Sequence, residues 1–278
     1  MKRGLILCCG LIFVLALVGL SFAGEDEVVK SIVESRASVK PFALPSAQIP
    51  DLNLEKGYAL QKKLTAALLA KGDKIGGFKA GLTSKETQQR FGSDQPLLGP
   101  FFTSGKVASD AVIDSKDFVK LFLETEIAYI AGQKIGAPVK DVASLKKMIK
   151  EVAPAIELPD MRFGDMKNLK VGDIVADAVG SAKYLVGKPV APDKVDVNQI
   201  KVALKLDGNV VNEGQAKDAL GDQWEALLWL VNGVVKRGGT IEPGQVLYTG
   251  ALGKMIPGKP GKYEATYGPL GTITFTVK

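Results

Sequence analysis

Two glutamates one residue apart, Glu124 and Glu126, sit inside the apolar run Phe118 to Ile130. A third acid, Glu157, interrupts Ala153-Pro-Ala-Ile-Glu-Leu158. The β-branched and aromatic residues around the pair indicate a strand, whose period of two turns both carboxylates to one face. Like charges on one face of a mostly buried strand repel and resist desolvation, and a shared cation is the usual relief. Three carboxylates make an all-oxygen donor set suited to Mg²⁺ or Mn²⁺, or to Ca²⁺, and leave about three positions open, as a catalytic ion requires. The residues alone also allow a plainer arrangement: an edge strand with two solvated glutamates and a strand-end Glu157 reaching water.

Composition narrows the chemistry. The chain has no histidine, and its two cysteines are Cys8 and Cys9. Cys/His zinc sites, Ser-His-Asp and Cys-His catalysis and imidazole acid–base chemistry are thereby excluded. What is left is Asp, Glu, Lys, Tyr, hydroxyls, backbone groups and a hard metal, with no organic cofactor expected.

Lys2 and Arg3 precede the uncharged apolar stretch Gly4 to Leu20, and small residues at Ser21 and Ala23 lead into Gly24-Glu-Asp-Glu27. That order is a secretory signal, with cleavage expected after Ala23 and an exported, periplasmic product. The weaker alternative is an uncleaved anchor, because the apolar stretch falls short of the roughly 20 residues a spanning helix needs. Once cut, the chain is expected to hold no stable membrane association. It would also lack thiols, and about 255 residues (278 − 23) can supply a core without disulfides. The net charge of +6 falls to +4 with the loss of Lys2 and Arg3. Basic residues such as Lys62-Lys63, Lys146-Lys147 and Lys236-Arg237 are scattered and not interleaved with aromatics, so no nucleic-acid partner is expected. The organisation expected is a signal peptide (1–23), a polar N-terminal arm (24–55) and one domain (56–278).

The elements that position the acids can be read around them. Leu60, Leu64 and Leu68 mark a helix over residues 54–69, ending at Lys71-Gly72. A glycine-rich strand follows at residues 75–82, then a capping box at Thr83-Ser-Lys-Glu86 opening a short helix to Phe91. Ser93-Asp-Gln-Pro96 is a turn. Residues 141–151 are expected as a helix and 152–158 as a strand. Residues 201–214 form a hairpin about Asp207-Gly-Asn209, and 219–235 an apolar helix with Trp224 and Trp229 in the core. Residues 246–253 run from strand into a small-residue loop, and 263–267 with 272–277 close the chain as a hairpin. Many turns and few helices between strands predict an α+β fold with a curved, largely antiparallel roll or barrel.

Six segments together resemble the fumarylacetoacetate hydrolase superfamily, in particular its 2-keto-4-pentenoate hydratase and 4-oxalocrotonate decarboxylase branch. They are Gly77-Phe-Lys-Ala-Gly-Leu-Thr-Ser-Lys85, Asp94-Gln-Pro96, Leu123-Glu-Thr-Glu126, Pro154-Ala-Ile-Glu157, Val175-Ala-Asp177 and Thr249-Gly-Ala-Leu-Gly253. The resemblance covers residues 56–278. It implies the fumarylacetoacetase-like mixed β-sheet roll with flanking helices, homo-oligomerisation, and a divalent metal on Glu124, Glu126 and Glu157. It further implies a small 2-oxo acid substrate that chelates the metal, with water added to a 2-hydroxy-2,4-dienoate. Lys79 and Asp94 are the implied catalytic residues. Gly81, Leu82, Asp177, Thr249, Gly250, Ala251 and Leu252 are implied to line the substrate. Burial beside the metal is expected to lower the Lys79 ammonium pKa, fitting it for proton transfer or for holding a carboxylate.

The chain departs from the branch around the pocket. Asp177-Ala178-Val179-Gly180 stands where Asp-Asn-Ala-Ser is common, Phe122 where an arginine is usual, and Leu220-Gly-Asp-Gln223 where relatives carry Leu-Gly-His-Pro. The missing histidine counts against the superfamily's C–C hydrolases, whose water is activated by a His/Glu pair. Decarboxylation of a 2-oxo-enedioate and 2-oxo acid binding without turnover stand as the alternatives to hydration.

Overall fold

A computed structural model describes the backbone of residues 13–278 and the side chains from Gly24 onward. The expected signal segment, residues 1–23, lies outside the described side chains, and residues 1–12 lie outside the described backbone. No helix among the described residues is long and apolar enough to cross a membrane.

The helices are α1 (Phe13–Ser38), α2 (Pro45–Gln48), α3 (Leu54–Ala70), α4 (Lys85–Phe91), α5 (Val142–Lys146), α6 (Val171–Ala176) and α7 (Gln223–Lys236). The first strands are β1 (Ile75–Gly81), β2 (Leu97–Phe102), β3 (Lys106–Val107), β4 (Val112–Ile113), β5 (Phe122–Ala131), β6 (Ile149–Leu158) and β7 (Lys183–Val186). Then come β8 (Lys201–Leu206), β9 (Asn209–Gln215), β10 (Val246–Tyr248), β11 (Ile256–Pro257), β12 (Gly261–Thr266) and β13 (Thr272–Val277). One sheet runs β2-β1-β10-β5-β6-β7-β3, with β11 added beside β5, and a second runs β4-β13-β12-β8-β9. Among the strands of the described residues only β1–β10, β3–β7 and β4–β13 pair in parallel, so the largely antiparallel α+β architecture is as the sequence predicts.

Strand alternation divides the larger sheet into two faces. Phe78, Ile127, Ile156 and Leu247 look into the main core, packed beneath α3 and α7. The other face carries Ala128, Ala153 and Ala155, and these small residues leave room for Phe101, Tyr184 and Tyr248, whose rings stack or meet edge to face. Glu124, Glu126, Glu157 and Lys79 lie on this second face by the same alternation.

Several boundaries differ from the sequence expectation. The arm over residues 24–55 is polar in composition, yet α1 buries Val28, Val29, Ile32 and Val33 and packs against α3. The expected helix at 141–151 is one capped turn, α5, because β6 starts already at the buried Ile149 and continues the pairing with β5. Helix α7 starts at Gln223, where Asp222 accepts from the Trp224 and Glu225 amides. Helix α4 is capped by Ser84, which accepts from the Thr87 amide, so the cap lies one residue after the expected Thr83 and Glu86 is not its box partner.

Candidate active site

Strands β5 and β6 set the three acids. Glu124 pairs with Glu157 and Glu126 with Ala155 in an antiparallel register that places directly opposite side chains about 5 Å apart. One carboxylate oxygen from each of the three lies within 4.8 Å of the others. Glu126 and Glu157 are fully buried and Glu124 half-buried, so the cluster opens to solvent on the Glu124 side. The solvated edge-strand alternative is therefore ruled out.

Burial drives the electrostatics. It lifts the Glu126 carboxyl well above the usual range, and the charges of Glu124 and then Glu157 add to it. Glu124 is raised by burial against the pull of Lys79. Glu157 is pushed up to about 8 by burial, with Lys79 opposing and Glu124 reinforcing. Glu126 Oε1 and Glu157 Oε2 are buried without a hydrogen-bond partner. Buried, unpartnered carboxylate oxygens converging from three strand positions fit a hard divalent cation, and the all-oxygen set favours Mg²⁺, Mn²⁺ or Ca²⁺ over zinc.

Lys79 reaches the cluster from β1, whose register partners at this position are Tyr248 and Gly99. Its Nζ donates to Glu157 Oε1 at 2.6 Å and to the Val179 carbonyl at 2.9 Å, and its side chain is buried. Its pKa does not fall as the sequence suggested. Burial does push it down, but the charge of Glu157, then Glu124, the bond to Glu157 and finally Glu126 outweigh that, and the net shift is upward. Lys79 is held as an ammonium.

The loop after β10 closes the site from the other side. Gly250 donates its amide to Glu126 Oε2 at 2.8 Å, orienting that carboxylate. Its φ of 116° suits glycine alone, and a Cβ there would run into the Thr83 side chain. Leu252 and Thr125 hold each other: the Leu252 amide donates to the Thr125 carbonyl at 2.7 Å, and Thr125 Oγ1 to the Leu252 carbonyl at 2.6 Å. Thr249 Oγ1 donates to Gln223 Oε1 at 2.6 Å. Ala251 is half-buried between these anchors. At the end of β1, Gly81 leaves a notch in which Val179 Cγ1 lies 2.5 Å from the place of a Cβ, and Leu82 follows with φ 50°, its carbonyl accepting from Gln88 Nε2.

Two expected site residues lie elsewhere. Asp94 is exposed in the turn after α4, where its side chain meets Gln95 Nε2 at 3.4 Å and is not brought to the acids. Asp177 is fully buried but spent on arginines: Arg36 donates to Oδ1 from Nε at 3.1 Å and Nη2 at 2.7 Å, and Arg162 Nη1 to Oδ2 at 3.2 Å. It anchors the segment that follows and does not line the acid cluster. Residues the sequence did not single out include Tyr267, whose hydroxyl donates to the Ala155 carbonyl and accepts from the Glu126 amide at 3.3 Å, bracing the strand pair from the second sheet. Gln223 was visible only as a departure; it accepts from Thr249 and from Tyr129 and donates to the Ala216 carbonyl.

No family model matches the chain. Individual proteins do. It is 30% identical over 247 residues to a 2-keto-4-pentenoate hydratase of Burkholderia vietnamiensis, covering 87% of this chain and 94% of that one. It is 28% identical over 251 residues to a 2-keto-4-pentenoate hydratase of Paraburkholderia xenovorans, covering 90% and 93%. Among solved structures, 4-oxalocrotonate decarboxylase from Pseudomonas putida G7, complexed with magnesium and adipate, superposes with a TM-score of 0.85 at 23% identity, over 94% of this chain and 98% of that one.

Proposed function

The chain belongs to the 2-keto-4-pentenoate hydratase family, and on that premise we propose that it is a divalent-metal-dependent hydro-lyase adding water to a 2-hydroxy-2,4-dienoate. The observation that carries the proposal is the buried triad Glu124, Glu126 and Glu157, with two of its oxygens left without partners. These three residues would hold the metal, which when bound supplies Lewis-acid polarisation of the substrate's 2-oxygen and charge stabilisation of the dienolate.

The chain's own groups set the rest. The Gly250 amide fixes Glu126, and the β5–β6 register fixes Glu124 against Glu157, so the donor set is preorganised. Lys79, charged and aimed into the cluster, suits proton delivery along the conjugated chain or a hydrogen bond to the substrate carboxylate. The aromatic cluster of Phe101, Tyr184 and Tyr248 keeps the acid-bearing face dry on its inner side, which strengthens every charge interaction there.

The test is loss of the ultraviolet absorbance of a 2-hydroxy-2,4-dienoate, dependent on Mg²⁺ or Mn²⁺ and abolished by Glu124→Gln. No turnover across a panel of 2-oxo acids with metal present would sink the proposal. The likeness to 4-oxalocrotonate decarboxylase keeps decarboxylation as the second reading, and release of CO₂ from a 2-oxo-enedioate separates the two.

Export rests on the residue order of 1–23, and the mass of the chain recovered from the periplasm would report a cut after Ala23. Self-association is supported by β9, an edge strand with exposed Val210 and Val211, and light scattering on the purified protein reads it directly.

A further inference from the structure

The turn from Asp177 to Ser181 has an uncommon backbone. Ala178, Val179 and Gly180 follow one another in left-handed conformation, with φ of 52°, 57° and 70°. That region is unfavourable for L residues and most of all for a β-branched one, so the surroundings must hold the turn in place. The turn is also wedged from both sides: Val179 fills the notch at Gly81, and the Ala178 carbonyl lies so close to Gly99 that a Cβ there would sit 2.6 Å away.

One guanidinium holds both ends. Arg36 Nη2 donates to the Asp177 carbonyl at 3.1 Å, and Nη1 to the Ser181 carbonyl at 3.1 Å. The same group grips Asp177 Oδ1 through Nε and Nη2, while Arg162 Nη1 covers Oδ2 and Arg162 Nε pairs with Asp160 at 3.2 Å. Asp160 in turn accepts from the Val119 and Lys120 amides ahead of β5, and its own amide donates to the Gly180 carbonyl. Between the clamped ends the Val179 carbonyl receives Lys79 Nζ, which also bonds Glu157 of the acid cluster.

We propose that Arg36 is a positioning residue for Lys79: by clamping the left-handed turn 177–181 at both ends, it aims the Val179 carbonyl that holds the ammonium against Glu157. The clamp needs the planar fork of arginine, since a lysine at this position can reach one of the two carbonyls but not span them. Arg36 belongs to α1, ahead of the domain expected over residues 56–278, so this helix is part of the catalytic apparatus and not a spacer.

The kinetic arm of the test rests on the hydratase reading, and a structural arm does not. With Mg²⁺ and a dienoate, Arg36→Lys should lower kcat by about tenfold to a hundredfold, as small misplacements of a reacting group do, while KM and the Mg²⁺ dissociation constant stay within about twofold. In a Lys79→Met background the same change should cost less than about twofold, because the residue it acts through is gone. Retention of wild-type kcat by Arg36→Lys, or a full multiplicative loss in the Lys79→Met background, overturns the proposal. If the wild type turns over no dienoate, the hydratase reading fails by itself and the crystal structure of Arg36→Lys decides. A turn that relaxes from left-handed backbone, with Lys79 Nζ released from the Val179 carbonyl, supports the clamp. An unchanged turn and an unchanged Lys79 contact overturn it.

Discussion

Glu124 and Glu157 are direct register partners, two acids facing each other across neighbouring antiparallel strands. Like charges in that position destabilise a sheet, and here they do so with Glu126 one pleat along and little water to screen them. Lys79 relieves part of the strain, and the rest is stored in carboxyls that hold their protons far above the ordinary range.

Neutralising the middle acid should separate stability from activity. Glu126→Gln keeps the shape and removes the charge that burial, Glu124 and Glu157 oppose. The metal-free variant should melt no lower than the wild type, and up to about 2–4 °C higher for a gain near 1 kcal/mol in a chain of this size. Metal-dependent turnover should fall by at least about a hundredfold. Thermal melts beside the absorbance assay read both effects, and a variant that keeps metal-dependent turnover would remove Glu126 from the ligand set.

The metal-free protein should lose stability as pH rises. Glu157 holds its proton up to about 8 when folded, against an ordinary value of 4.5. Between those values the folded chain binds a proton that the unfolded chain has released, so stability falls from about pH 5 to about pH 8. A divalent metal competes with that proton, so the melting shift it produces should grow over the same interval. Melts with and without Mg²⁺ across this range test the sign; a metal-free profile that rises with pH contradicts it.

Lys79→Met should be tolerated in acid and costly in mild base. The ammonium opposes the rise of the Glu157 carboxyl, so without it that group keeps its proton well past about 8, and at about pH 9 the variant carries a cost of protonation that the wild type does not. Near pH 5 a protonated Glu157 needs no partner and the loss should shrink to the packing difference. Urea denaturation of the metal-free variant at both pH values gives the comparison, and equal losses at the two would show that the pairing energy is negligible.

Gly250→Ala should damage the metal site through the backbone. The left-handed φ and the Thr83 side chain both resist a Cβ, at a cost of about 2 kcal/mol or more. Displacing the amide that orients Glu126 should raise the Mg²⁺ dissociation constant by about tenfold to a hundredfold, the usual effect of losing a group behind a ligand. Calorimetric titration of Mg²⁺ into the folded variant measures it, and wild-type affinity would mean that Glu126 needs no such support.

Much of this site was legible because it is built by strand alternation. Glu124 and Glu126 share a face by their spacing alone, and Glu157 stands out as an acid among apolar neighbours. Lys79 and the glycines at 81 and 250 were reached through the family segments. Asp94 and Asp177 were misplaced for different reasons. Asp94 follows a helix that ends in the left-handed Gly92 and turns outward, which no spacing reveals. Asp177 is matched by charge to Arg36, a residue 141 positions away, and local pattern carries no trace of such a partner. The upward shift of Lys79 was missed for a similar reason: burial was foreseen, but the sum of three nearby carboxylates depends on distances that only the folded sheet sets. The α1 helix was read as an arm because its buried residues, Val28, Val29, Ile32 and Val33, are outnumbered by charges around them.

Lys79, Glu124, Glu157, Val179 and Gly250 reach one point from positions spread over more than half of the chain. No early fragment emerging from the ribosome can assemble that centre, because Glu126 gains its orienting amide only after the loop behind β10 has been made. The fully oriented donor set therefore exists only once the chain has been made past Gly250.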